Sequence, residues 1–278
     1  MTNGFECEIL DQDIYVASVK LVSSSNTTHT LISSKCLSNP CKLKIGFKCI
    51  PNYMNNTYQC APQSCKALKK DDPSLRSSFY HVFLAGKIRK VYCDMEKDGG
   101  GWMLIANYTI PSTEITQAFN YGDLDAFEEL ATGNFFLDSN VYLPIINAWF
   151  PINEFRCYCY KPSVGRIVDL ATDPSTDLGS YINRFILGKE PKKICSPPCG
   201  LRSLPNDQSE LIHQVTSIGW GITAQYLYRA PFLKGDNIHI LLWRYKQRYE
   251  CDDVTDQLYS DSDYYNTFYA GNWKYYIG

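Results

Sequence analysis

The residues of this chain best equipped for chemistry are its cysteines, twelve in 278 residues: Cys7, Cys36, Cys41, Cys49, Cys60, Cys65, Cys93, Cys157, Cys159, Cys195, Cys199 and Cys251. Such a set suits metal binding, thiol–disulfide exchange or structural cross-linking. Zinc needs closely spaced thiolates or imidazoles, yet no pair has C-x-x-C spacing, and His29, His81, His213 and His239 stand apart from one another. A thiol oxidoreductase needs a thiolate beside a base. Cys195-x3-Cys199 is the nearest approach to such a pair, and Pro197-Pro198 inside it is better suited to a rigid turn. Cross-linking remains: an even number, partly bunched, is what an oxidising compartment produces. The chain contains no G-x-S-x-G, H-E-x-x-H or GxxxxGK[ST] signature, so it is not expected to be an enzyme.

A second group of chemically capable residues lies near the C-terminal end. Asp252-Asp253, Asp256 and Asp261-Ser262-Asp263 offer clustered carboxylates. Calcium takes roughly six to eight oxygen ligands, so Asp261 and Asp263 are the candidate calcium ligands. Residues 249–278 hold seven of the 21 tyrosines. A tyrosine offers a stacking face and a hydroxyl, useful for gripping sugars or protein surfaces. Tyr259, Tyr264 and Tyr265, set among the acidic residues, are the candidate ligand contacts, while the others are expected to fill a sheet with Trp243 and Trp273. Asn26, Asn55 and Asn107 head N-x-[ST] triplets, candidate glycosylation sites that fit secretion.

These residues need elements to position them. The chain carries 27 basic and 29 acidic residues, a net charge of -2, without the basic excess that nucleic-acid binding requires. Its 45% hydrophobic and 14% aromatic content excludes a disordered chain. No window approaches the roughly 18 uninterrupted apolar residues of a membrane span. Three segments follow. Residues 1–34 are too polar to bury a core. Residues 35–64 carry C-x4-C-x7-C-x10-C and need covalent staples, with Asn55-Asn56 turning a small hairpin. Residues 65–278 are long enough for one large α+β domain.

Within that domain 79–83 and 90–95 read as strands joined by a turn at 85–87. The glycines at 99–101 break the chain, providing positive φ or a close backbone approach, before a strand at 102–106. Asp125 and Glu128 form a capping-box pattern for a helix over 125–131 that Gly133 ends. Further strands are expected at 165–170, 238–243 and 273–277.

Ser64-Cys65-Lys66, followed by Tyr92-Cys93-Asp94-Met95 and Asp98-Gly99-Gly100-Gly101-Trp102-Met103, resembles the opening of a fibrinogen C-terminal domain, with Met103 where the family has threonine. Asn134-Phe135-Phe136-Leu137-Asp138 is a fainter echo of a later segment. The resemblance implies an α+β fold with mostly antiparallel sheet, short helices and long loops, and a Cys65–Cys93 disulfide. Residues 36–60 resemble a truncated EGF-like module, which implies Cys36–Cys49 and Cys41–Cys60. Phe5-Glu6-Cys7-Glu8-Ile9-Leu10 is similar to the closing strand of a PAN/apple domain, so 1–34 is expected to be its remnant or a linker. Cys157, Cys159, Cys195 and Cys199 are extra to the fibrinogen pattern and Cys251 has no near partner; their connectivity stays open. Met1 to Leu10 has neither basic nor apolar leader character, so an N-terminally incomplete secreted protein is expected. The implied role is extracellular recognition, with a carbohydrate or an extracellular protein as partner. The alternative is a matrix or adhesion component without a small-ligand pocket.

Overall fold

Cross-links take the place of a core in the first segment. Cys36–Cys49 and Cys41–Cys60 are disulfides, the pairs that the resemblance implies. Strand β1 (Phe47–Asn52) pairs with β2 (Thr57–Pro62) in a two-stranded sheet. Asn56 turns the hairpin with a φ of 46°, the left-handed region that asparagine tolerates. The side-chain oxygen of Asn52 accepts the Asn55 backbone amide at 3.3 Å. So short a hairpin buries little, and the cysteines themselves, Cys41 and Cys49, are buried.

In this computed structural model the described residues are 35–52, 54–110, 120–127, 134–137, 139–161, 166–177, 179–180, 200–208 and 271–278. They fall into two units, one with the residues up to Leu43 and Cys49–Cys60, the other with Lys44–Lys48 and Ala61–Gly278.

The second unit opens with helix α1 (Cys65–Asp71), capped by Ser64, whose Oγ accepts the Ala67 amide at 3.1 Å. Cys65 begins the helix and is disulfide-bonded to Cys93 in the sheet. Strands β3 (Ser78–Leu84) and β4 (Lys87–Asp94) form a hairpin turned by Ala85 and Gly86. Both turn residues have positive φ, 50° and 80°, the twist that matches two antiparallel strands. Then come β5 (Trp102–Ile110), β6 (Asn120–Gly122), β7 (Asn134–Leu137), helix α2 (Ser139–Trp149), β8 (Phe155–Lys161), β9 (Arg166–Thr172), β10 (Leu201–Ser203) and β11 (Gly271–Ile277).

Among the described residues, nine strands share one sheet in the order β10-β9-β8-β11-β5-β4-β3, with β7 alongside β5 and β6 beyond it. The β6–β7 pair is parallel and the other described pairs are antiparallel. Strand β11 lies between β5 and β8. It pairs Tyr275 with Ala106 and Tyr276 with Leu104, so Ile105 is an extra residue that bulges β5. The period of two assigns Trp273 and Tyr275 to the core and Asn272 and Lys274 to the other face. Leu143 and Ile146, three residues apart on α2, are wholly buried with Phe155, Val168 and Leu170 in the same cluster.

The helix expected over 125–131 is corrected in its start. Residues 124–127 form a single 3-10 turn, and Asp123 is the residue that accepts the Asp125 amide, at 2.8 Å. An aspartate oxygen readily reaches the amide two residues on. The Asp125 carboxylate instead accepts bonds from Arg89 and Lys87. Residues 128–133 and the strand expected at 238–243 lie outside the described residues.

Candidate functional site

Tyr259, Tyr264, Tyr265, Asp261 and Asp263 lie outside the described residues, as do Cys7, Asn26, Cys195, Cys199 and Cys251. The described residues assemble a buried charge network between the glycine-rich turn and strands β8 and β9.

The turn is built for close approach. Gly99, Gly100 and Gly101 have φ of 78°, 76° and 84°. A Cβ on Gly100 would stand 2.2 Å from the Met95 carbonyl oxygen, and one on Gly101 would stand 2.8 Å from Lys66 Cα. The loop therefore lies against its own start and against α1, and only glycine fits. Trp102 Nε1 donates to the Lys97 carbonyl at 3.1 Å. Asp94 organises the start of the loop: its Oδ1 accepts the Glu96 and Lys97 amides, each at 3.1 Å, and Ser77 Oγ at 3.2 Å. The expectation of positive φ and close approach is met at these glycines.

The other oxygen of Asp94 faces Arg156. Arg156 Nη1 donates to Asp94 Oδ2 at 2.7 Å, while Nε and Nη2 donate to the two oxygens of Asp169 at 2.7 and 2.8 Å. The Tyr276 ring lies 4.8 Å from the guanidinium carbon and the Trp102 ring 6.0 Å. The side chains of Arg156 and Asp169 are 3% and 0% exposed, and that of Asp94 is 12% exposed, so the Arg156–Asp169 pair is out of water and Asp94 nearly so. Burial pushes Asp94 upward, but the bonds from Arg156 and the amides of Lys97 and Glu96 prevail and hold its carboxyl below the ordinary aspartate range. Burial opposes the charge on Arg156 as well, and the two carboxylates overcome it and raise its pKa.

A second arginine braces the same loop from β10. Arg202 Nη2 donates to Asp98 Oδ2 at 2.6 Å and to Glu154 Oε1 at 2.8 Å, and Lys66 Nζ reaches the other Glu154 oxygen at 3.3 Å. Neither arginine was visible as a functional element in the sequence, because a lone arginine in a strand carries no local pattern.

This arrangement is chemically passive. The Arg156 donors point at carboxylates already in place, so it has no vacant fork for an anion. Cys157, beside it on β8, is a buried free thiol whose pKa is pushed up by burial, the opposite of what a nucleophile needs. Cys159, two residues on, is disulfide-bonded. Among the described residues no three His, Cys, Asp or Glu side chains cluster as a metal site, and no helix is long and apolar enough to cross a membrane.

The sheet face opposite the core carries a row of polar and aromatic groups. Lys274 sits in register between Asn107 and Tyr158, its Nζ 5.8 Å from the Tyr158 ring. Asn272 Nδ2 donates to Asn107 Oδ1 at 3.1 Å and to Thr109 Oγ1 at 2.7 Å. Of the candidate glycosylation sites, Asn107 is thus half-buried inside β5, whereas Asn55 is exposed at the β1–β2 turn.

The helix that starts at Cys65, the loop from Tyr92 to Trp102 and the bridge between them lie within the stretch that matches a known family. Residues 61–146 match the family of fibrinogen beta and gamma chains, C-terminal globular domain. Echinolectin 1 of Echinometra lucunter is 40% identical over 65 residues, which make up 23% of this chain and 26% of that protein. The chain therefore spans about a quarter of the length of this curated relative. Among solved structures, the fibrinogen-like globe domain of human ANGPTL6 aligns with 77% of this chain and 94% of its own, at 13% identity and a TM-score of 0.35. That of human ANGPTL2 aligns with 78% and 98%, at 15% identity and a TM-score of 0.33. Arg156, Asp169 and Arg202 lie beyond the matched residues.

Proposed function

We propose that this chain is an extracellular, non-enzymatic recognition protein that captures a carbohydrate or protein ligand through its fibrinogen-like part, residues 65–278. The observation that carries this reading is the fibrinogen C-terminal match over 61–146, where the glycine turn, its capping aspartate and the Cys65–Cys93 bridge are all formed. The lectin name of Echinolectin 1, 40% identical over 65 residues, favours a sugar as the ligand. The Cys41–Cys60 disulfide just before the matched region and the Cys65–Cys93 disulfide within it favour an oxidising compartment. In this reading residues 35–64 are a truncated EGF-like spacer and 1–34 the remnant of a PAN-like domain.

Capture is non-covalent. Tyr259, Tyr264 and Tyr265 offer ring faces to the ligand, and Asp261 and Asp263 supply oxygens to a calcium ion that stiffens the loop. A glycan array run with calcium and again with chelator tests the reading. Saturable binding that chelator abolishes, and that Tyr264→Ala or Asp261→Asn weakens about tenfold or more, is the expected result. No binding to any glycan in either condition rejects the lectin and leaves the adhesion component without a small-ligand pocket.

A further inference from the structure

We propose that Asn55 carries an N-linked oligosaccharide and that Asn107, which heads the same Asn-x-Thr sequence, does not. The inference rests on the extracellular reading above, and it comes from the two places that the fold gives to one motif.

Asn55 sits in the turn between β1 and β2, with Asn55, Asn56 and Thr57 all exposed. Its backbone amide is held by the Asn52 side chain at 3.3 Å and the next residue has a φ of 46°, so the turn projects from the ladder. Two large apolar side chains flank the turn in sequence and are uncovered: Met54 is 94% exposed and Tyr58 44%. A large ring and a thioether left in water beside an acceptor asparagine suit the apolar faces of a first sugar, which stacks on tyrosine as it would in a binding site. Asn107 is placed differently. It lies mid-strand in β5, opposite Lys274 of β11 on one side and Phe135 of β7 on the other. Its Oδ1 accepts the Asn272 amide at 3.1 Å, and the residue is half-buried. A branched sugar on that nitrogen would have to leave past Lys274 in the adjoining strand and past Asn272, whose amide is bonded to both Asn107 and Thr109.

The modification is a group transfer from a lipid-pyrophosphate-linked oligosaccharide. Asn55 Nδ2 attacks the anomeric carbon, and the new carbon–nitrogen bond replaces the carbon–oxygen bond to pyrophosphate. The lipid pyrophosphate leaves with the electron pair, and Nδ2 gives up one proton to a base. The product is a surface glycan on a loop, the usual setting for such a group.

The test uses the full chain, secreted by cultured eukaryotic cells behind an added leader and recovered from the medium. Enzymatic release of N-glycans in heavy-oxygen water converts a formerly glycosylated asparagine into a labelled aspartate, read by peptide mass spectrometry. The expected result is label at Asn55 and unaltered asparagine at Asn107. In support, Asn55→Gln and Thr57→Ala each remove one step of gel mobility, while Asn107→Gln removes none. An unlabelled Asn55, or label at Asn107, overturns the inference. The same digest reports the Cys36–Cys49 and Cys41–Cys60 bridges. If they are intact with Asn55 bare, only the inference fails; if those cysteines are reduced, the extracellular reading fails with it.

Discussion

Arg156 places three nitrogens on carboxylate oxygens of Asp94 and Asp169, with the ring of Tyr276 against its plane. Two aspartates and one arginine leave a negative charge over, and burial raises the Asp169 carboxyl above the ordinary aspartate range despite the bonds from Arg156. Ions removed from water cost several kcal/mol each unless their partners stay in place. Arg156→Met therefore strands two carboxylates, and we expect it to cost about 3–5 kcal/mol in urea unfolding. Adding Asp94→Asn and Asp169→Asn to that variant removes the stranded charges and should recover part of the loss. Equal destabilisation of the single and triple variants would show that side-chain volume, and not charge, governs the position.

At the scale of elements the turn before β5 is the most demanding piece of backbone, with four successive residues, Asp98 to Gly101, at positive φ. Gly100→Ala combines an unfavourable φ with a Cβ 2.2 Å from the Met95 carbonyl. It should destabilise by more than about 1 kcal/mol in thermal or urea unfolding, whereas Gly86→Ala, whose Cβ would meet nothing within 4 Å, should cost less. This turn was legible in the sequence because its chemistry is local, as were the β3–β4 hairpin, the start of β5 and the end of β11. Other elements were not. Helix α2 contains Pro144, a residue that ordinarily ends a helix, and here it falls on the exposed side, between buried Leu143 and Ile146. Strand β8, Phe-Arg-Cys-Tyr-Cys-Tyr-Lys, hides its alternation because tyrosine and arginine face one side while cysteine faces the other. Asp94 and Arg156 are 62 residues apart, so their pairing has no local signature. The candidate ligand residues were named from composition alone.

For the molecule as a whole, the position of β11 matters most. The last described strand fills the centre of the sheet, between β5 and β8, so the sheet is complete only when segments far apart in sequence have met. Such long-range pairing slows folding and makes early cross-links such as Cys65–Cys93 valuable, because they shorten the loops still to be closed. The free thiol of Cys157, on the core side of β8 against Tyr275, is sealed in by that closure. It should resist alkylation in the native protein and react once the protein is unfolded in denaturant. Parity then has a say: twelve cysteines with one withheld leave eleven, an odd number that cannot be matched off entirely within these 278 residues. Either a second thiol accompanies Cys157, or one cysteine is bridged to a sulfur outside these 278 residues. Titration of the unfolded chain tells them apart: at least two equivalents of thiol in the first case, and one in the second.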